Sequence, residues 1–224
     1  TPTATPEPGE PTRTPTPHID FPEPETLWER DLDVRPRSPV TYADGRAYLG
    51  TDEGVAAVDP RTGQLLWLLS LATNGGDGNE NGRVSGAPAV AGARVFAATD
   101  SGRLVAVDPG DGSTDGGDGE GTPTDGEGET GDGGGMARPG IDWEVSTGAA
   151  IRGGPAVTGG SVFVADESGR VTAYGTDGER RWRRDVGGAV SGGPLVTDDR
   201  VVVGTDAGEV VALGRGDGSV SWRS

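Results

Sequence analysis

The five tryptophans of this 224-residue chain stand at positions 28, 67, 143, 182 and 222, separated by 39, 76, 39 and 40 residues. A side chain this large returning at one interval means that a single structural unit is reused. The long separation is one period of about 39 residues with about 37 inserted. The inserted material is visible as "NGGDGNENG" (Asn74–Gly82) and the tract "DGSTDGGDGEGTPTDGEGETGDGGG" (Asp111–Gly135). Other landmarks keep the same beat. Proline stands beside small apolar residues at Pro39, Pro88, Pro155 and Pro194. An acidic-glycine turn follows each, ending at Gly54, Gly102, Gly169 and Gly208, and then an apolar run: "VAAVD", "LVAVD", "VTAYG" and "VVALG".

Each unit divides into four short segments of alternating or small apolar residues bounded by Gly, Asp and Pro, the pattern of strands and turns. In the fourth unit these are "GGPLVTDD", "RVVVGTDAG", "EVVALGRGDG" and "SVSWRS". A period near 40 residues with four strands per unit predicts an all-β chain, a β-propeller of four-stranded antiparallel blades, about four of them. No segment has enough buried positions to stand alone, so the blades must stack face to face, which suits their small Val, Ala and Gly residues. Helical repeats of similar length are excluded by 42 glycines, 17 prolines and the two-residue alternation.

The stretch "AVDPRTGQLLW" fixes the tryptophan relative to a turn. It resembles the tryptophan-docking motif of the PQQ-like (quinoprotein-type, BamB-like) propeller repeat family, with Ala57, Asp59, Thr62, Gly63 and Trp67 at the five specified positions. The resemblance implies that the indole leaves the outermost strand, packs on the neighbouring blade and bonds to its backbone, filling the wedge where blades splay apart. "ALGRGDGSVSW" keeps Ala212, Gly218 and Trp222 with Asp217 in place of Thr, "AYGTDGERRW" reaches Trp182 one residue sooner, and Trp143 closes the interrupted copy that opens at "AVDPGDG". Residues 25–224 carry the resemblance, and residues 111–138 form an acidic Gly/Asp insertion within it. Residues 1–24, almost all Thr, Pro, Glu and Gly, read as a disordered tether, either a glycosylated stalk or a plain linker.

Trp28 lies on an expected outer strand ahead of the first complete unit, so four units and one surplus strand do not obviously close a ring. Either a four-bladed ring carries an extra strand or the chain is part of a larger ring, completed by a second copy or by further chain. A homodimer completing the ring is therefore one expectation.

Composition narrows the chemistry. There are 36 acidic and 19 basic residues, a net charge of −17, and every basic residue is Arg. Such a chain repels phosphates and anionic bilayers, so neither nucleic acid nor direct membrane insertion is expected. The acidity is either a patch for a cationic partner or a surface suited to molar salt. Its even spread favours the second, and the acidic, lysine-free pattern resembles proteins of halophilic archaea. There is no cysteine, and the single histidine, His18, sits in the tether, so no nucleophile–base pair is visible. The tract 111–135 lacks the D-x-D-x-D-G order of a calcium loop. Asp52, Asp100, Asp166 and Asp206 are expected to accept backbone N–H groups inside their turns, and the cluster Arg180, Arg181, Arg183 and Arg184 to pair with the chain's own carboxylates. No catalytic, cofactor-binding or metal-binding residue is nominated.

The expected function is a non-catalytic interaction scaffold for a protein partner, tethered at the cell surface or secreted. The alternatives are a relative of PQQ-dependent oxidoreductases and a ligand-binding sensor ectodomain.

Overall fold

The computed structural model describes residues 26–72, 82–110 and 139–224. The tether at 1–24 and the insertion at 111–138 thus lie outside the described residues. Sixteen strands form four antiparallel sheets, each built from consecutive strands. Blade 1 contains β1 (Thr41–Ala43), β2 (Arg46–Gly50), β3 (Gly54–Val58) and β4 (Leu65–Ser70). Blade 2 contains β5 (Ala89–Ala91), β6 (Arg94–Ala98), β7 (Arg103–Asp108) and β8 (Gly140–Ser146). Blade 3 contains β9 (Ala156–Thr158), β10 (Ser161–Ala165), β11 (Arg170–Gly175) and β12 (Arg180–Asp185). Blade 4 contains β13 (Leu195–Val196), β14 (Arg200–Gly204), β15 (Val210–Gly214) and β16 (Val220–Arg223).

The innermost strands lie side by side in the order β1, β5, β9, β13, and apolar layers fill the spaces between successive sheets. Tyr48, Val55, Ala57 and Trp67 of blade 1 meet Val95, Ala97, Val105 and Val107 of blade 2. Phe96, Leu104 and Ala106 meet Val162, Val164 and Tyr174 of blade 3, and Phe163, Val171 and Ala173 meet Val201, Val203, Val211 and Leu213 of blade 4. Strands of five residues are buried throughout where both faces are covered: β10 lies between blades 2 and 4, and β3 between blade 2 and the segment that carries Leu32. The loops entering the inner strands approach still more closely. A methyl group on Gly86 would lie 2.1 Å from the Gly154 nitrogen, and one on Gly153 would lie 2.1 Å from that of Gly193. Glycine is required there for backbone to touch backbone.

The ends of the arc differ from the middle. No apolar cluster among the described residues joins blade 4 to blade 1. The outer face of blade 1 (Leu49, Ala56, Val58) is instead covered in part by Leu32 from the segment that precedes β1. That segment corrects the expectation of a surplus outer strand. Residues 26–35 hold no strand, and only Pro36 bridges to Thr51. Among the described residues no strand pairs with the backbone around Trp28.

Candidate functional site

Four positions in each sheet form one cross-strand row: Thr41, Tyr48, Ala57 and Trp67 in blade 1, and Ala89, Phe96, Ala106 and Trp143 in blade 2. Ala156, Phe163, Ala173 and Trp182 repeat it in blade 3, and Leu195, Val202, Ala212 and Trp222 in blade 4. The alanine is small for a reason. It lets the indole and the aromatic ring two strands away meet over it, with centroids 6.0, 5.9 and 5.9 Å apart and ring planes tilted by 47° for Tyr48–Trp67, 48° for Phe96–Trp143 and 47° for Phe163–Trp182. Tilted pairs at such separations are favourable geometry for the ring quadrupoles. Beside every alanine the register shifts by one residue. This bulge turns the outer strand toward the next blade.

The indole then docks. Trp28 Nε1 donates to the Pro60 carbonyl, Trp143 Nε1 to that of Thr176 and Trp182 Nε1 to that of Arg215, each at 2.9 Å. The three acceptors occupy equivalent places in the last turn of the following blade. Two or three residues further on comes a glycine with positive φ: Gly63 (68°), Gly178 (88°) and Gly218 (67°). A methyl group added there would lie 2.6 Å from Trp28, 2.9 Å from Trp143 or 2.5 Å from Trp182. The glycine of the motif therefore serves the turn and the flat approach of the incoming ring together. Asp59, Thr62 and Asp217 brace these turns by accepting from the backbone N–H groups of Arg61, Gln64 and Ser219. The Ser219 bonds hold the Asp217 carboxyl below the usual carboxylate range.

Two tryptophans depart from the pattern. Trp67 is 7% exposed, yet its Nε1 has no acceptor among the described residues. The turn that would receive it begins at Asp108–Gly110, and a cavity of about 570 Å³ lies there with walls that include Arg46, Tyr48, Val95 and Pro109. Trp222 is 40% exposed and docks on no turn among the described residues. In its row Leu195 is also 64% exposed, and Val210 on the same face of the sheet is 40% exposed. Blade 4 thus presents to solvent the surface that blades 1 to 3 bury.

At one mouth of the arc, a residue in each entry loop is tied to a carboxylate 15 positions later. Arg37 Nε donates to Asp52 at 2.5 Å, the Ser85 hydroxyl to Asp100 at 3.1 Å, Arg152 Nε to Glu167 at 2.5 Å, and the Ser191 hydroxyl to Asp206 at 3.0 Å. Ion pairs also cross between blades: Arg83 lies 3.8 Å from Asp52 and 3.4 Å from Asp100, and Arg152 lies 3.4 Å from Asp100. Beside Arg37, the Asp52 carboxyl is held below its ordinary value, chiefly by that hydrogen bond.

This arrangement corrects two expectations. Of the four recurring aspartates only Asp166 caps its turn as expected; for Asp52, Asp100 and Asp206 the acceptor is the residue before, the hydroxyls of Thr51, Thr99 and Thr205 accepting from Gly54, Arg103 and Glu209. In blade 3 that place is taken by Asp166, which accepts from Ser168 and Arg170, so the counterpart of Asp52 is Glu167. The arginine cluster also differs. Arg181 bonds the Ser161 hydroxyl, and Arg184 donates at 2.7 Å to the Gly218 carbonyl of the next blade, so both are spent on fastening strands.

Among the described residues no group of His, Cys, Asp and Glu could hold a metal ion.

Rim-docked indoles and face-stacked four-stranded sheets define a β-propeller of the tryptophan-docked class. The chain belongs to the family described as outer membrane protein assembly factor BamB, which it matches over residues 19–124 and 140–224. Among solved structures, BamB from Moraxella catarrhalis superposes with a TM-score of 0.55 at 18% identity, over 88% of this chain and 64% of that one. The computationally designed Ika8 protein gives 0.58 at 13% identity, over 83% and 48%. The quinohemoprotein alcohol dehydrogenase ADHIIG from Pseudomonas putida HK5 gives 0.56 at 18% identity, over 88% and 35%. At these identities the likeness is one of fold. A curated relative, the serine/threonine-protein kinase AfsK of Streptomyces griseus, is 30% identical over 171 residues, 71% of this chain but 17% of that protein. The chain therefore spans only part of each relative it matches.

Proposed function

We propose that the chain is a non-catalytic scaffold for protein interaction, held outside the cell by its Thr/Pro-rich N-terminal segment. The observation that carries this reading is the uncovered front of blade 4, where Leu195, Val210 and Trp222 lie exposed in one apolar surface. The same row on blades 1 to 3 binds a protein surface, so its chemistry is already that of an interface. Membership of the BamB family supports a role in assembly rather than turnover. A second copy of the chain, completing the ring, is the first candidate partner.

Selection of peptides displayed on phage against the immobilised chain tests this reading. Apolar sequences should be enriched, and enrichment should vanish against Trp222→Asp. Enrichment indifferent to blade 4 would contradict it. Reduction of a dye acceptor after addition of PQQ and calcium would contradict the non-catalytic part. The even acidity is read as adaptation to salt: at a net charge of −17 self-repulsion is screened to about 3 Å in 1 M salt. Melting should therefore fall on transfer from molar KCl to dilute buffer, and an unchanged Tm would contradict it.

A further inference from the structure

We infer that the cavity between blades 1 and 2 binds a zwitterionic α-amino acid with an apolar side chain, which gives the Trp67 indole the acceptor it lacks. The site stands apart from the front of blade 4 and uses no contact made there.

The argument starts from an orphaned donor. Only 7% of Trp67 is exposed, and its Nε1 is buried without an acceptor among the described residues. A buried donor left unpaired forfeits its hydration without return. Trp28, Trp143 and Trp182 avoid this by donating to the carbonyls of Pro60, Thr176 and Arg215. The place of Pro60 is taken in blade 2 by Pro109, because "AVDP" stands at both 57–60 and 106–109. Pro109 forms part of the cavity wall, as does Tyr48, whose ring centroid lies 6.0 Å from that of Trp67. The repeat thus aims the unpaired N–H at this cavity.

Charge supplies the second observation. Asp44, Arg46 and Asp108 line the same space. Neither carboxylate belongs to an ion pair among the described residues. Asp108 accepts from the Gly110 N–H with one oxygen, and Arg46 spends one N–H on the Gly110 carbonyl at 3.2 Å. The next blade shows what is different here. Arg94, which occupies the register of Arg46, pairs at 2.5 Å with Asp142 on the strand that carries Trp143. In blade 1 the residue before the tryptophan is Leu66 instead. Arg46 therefore keeps its remaining N–H groups, and the two carboxylates keep their charge, for something that enters from solvent.

The walls define that ligand by complement. Trp67 Nε1 and Arg46 are donors suited to a carboxylate, Asp44 and Asp108 are acceptors suited to an ammonium group, and Tyr48 and Val95 suit an aliphatic side chain. A simple anion or a simple cation meets one set and leaves the other uncompensated, whereas a zwitterion meets both. The volume of about 570 Å³ falls within the usual span of ligand clefts, about 300–1,000 Å³.

Titration of L-leucine into the whole nitrogen-15-labelled chain, followed at the indole signals, tests the inference, with Trp67→Phe identifying the Trp67 signal. In the free chain that N–H should exchange faster than those of Trp143 and Trp182. Leucine should shift it and slow its exchange while the other two stay in place. Isocaproate, which lacks the ammonium group, and isoamylamine, which lacks the carboxylate, should each bind about 10-fold more weakly. Asp44 is exposed, and its positive φ of 50° is one that asparagine also adopts. Asp44→Asn should weaken leucine by about 3-fold, and with Asp108→Asn added, leucine and isocaproate should bind equally. Arg46→Gln should likewise abolish the preference for leucine over isoamylamine. A general loosening of the blade would weaken all three ligands alike, so these losses of preference separate the site from a folding defect. A Trp67 N–H as protected as that of Trp182 in the free chain, a Trp67 signal unmoved by leucine, or isocaproate equal to leucine on the parent chain would each overturn the inference. The scaffold reading, tested through Trp222, stands or falls separately.

Discussion

Blade 3 and blade 4 carry the same row on the same face, yet one row is a core and the other a surface. Phe163, Ala173 and Trp182 lie against blade 4, whereas Leu195 and Trp222 are exposed and Val202 is half-buried. The pairing register that creates the row is identical in both, running through alanine to tryptophan with a bulge beside it. The difference is that, among the described residues, blade 3 has a sheet packed on this face and blade 4 has none. The repeat fixes which residues are presented, and stacking alone decides whether they are buried, as expected of a quasi-one-dimensional array. In blade 4 Val202 stands where the other three rows have Tyr48, Phe96 or Phe163.

Substituting the two tryptophans separates these states most widely. Trp182→Ala should cost about 3–4 kcal/mol, because it removes the ring contact with Phe163 and the bond to Arg215. Trp222→Ala should cost less than about 1 kcal/mol under conditions where the chain is monomeric. Equal losses in chemical denaturation would mean that stacking does not set the energetics. A smaller effect is expected at the receiving turn. Gly218→Ala forces a side chain into a φ of 67° and toward the Trp182 ring, at a cost of about 1–3 kcal/mol. Its fluorescence should report a displaced indole, and an unchanged emission would place Trp182 elsewhere.

The smallest effect concerns the mouth. Asp52 has a depressed folded pKa through its bond to Arg37. Its contribution is present above the unfolded carboxylate value, about 3.9, and is lost as pH falls through the lower folded value. Asp52→Asn should therefore flatten the stability profile below about pH 4 and leave its shape near neutrality alone. A profile parallel to that of the parent chain throughout would show that the pair does not form in solution.

The period and the tryptophan-to-turn distance were legible because both are set by local chain length, which sequence spacing records directly. The resemblance to the family motif placed Gly63 and Gly218 in their turns, whereas their close approach to the incoming Trp28 and Trp182 rings is a finding of the structure. The aromatic partners Tyr48 and Phe163 were not singled out, although each stands 19 residues before its tryptophan. Their meeting depends on two hairpin registers and a bulge, and the residue they cross is an unremarkable alanine. The ties at the mouth were hidden for a related reason. Arginine and carboxylate 15 residues apart are distant in the chain and brought together only by the fold of the entry loop. The place of Glu167 was obscured because Asp166 performs the task that threonine performs in the other three turns. Trp28 was read as a strand residue by analogy with its four counterparts, but a strand needs a partner, and blade 1 already ends at β4.

The exchange of the five indole N–H protons with solvent, followed by nitrogen-15 NMR on dilute monomer, probes the repeated docking most directly. Trp143 and Trp182, bonded to the next blade, should be strongly protected, Trp28 should be protected less, and Trp222 should exchange as fast as an open side chain. Protection of Trp182 no greater than that of Trp222 would contradict blade-to-blade docking of the indole.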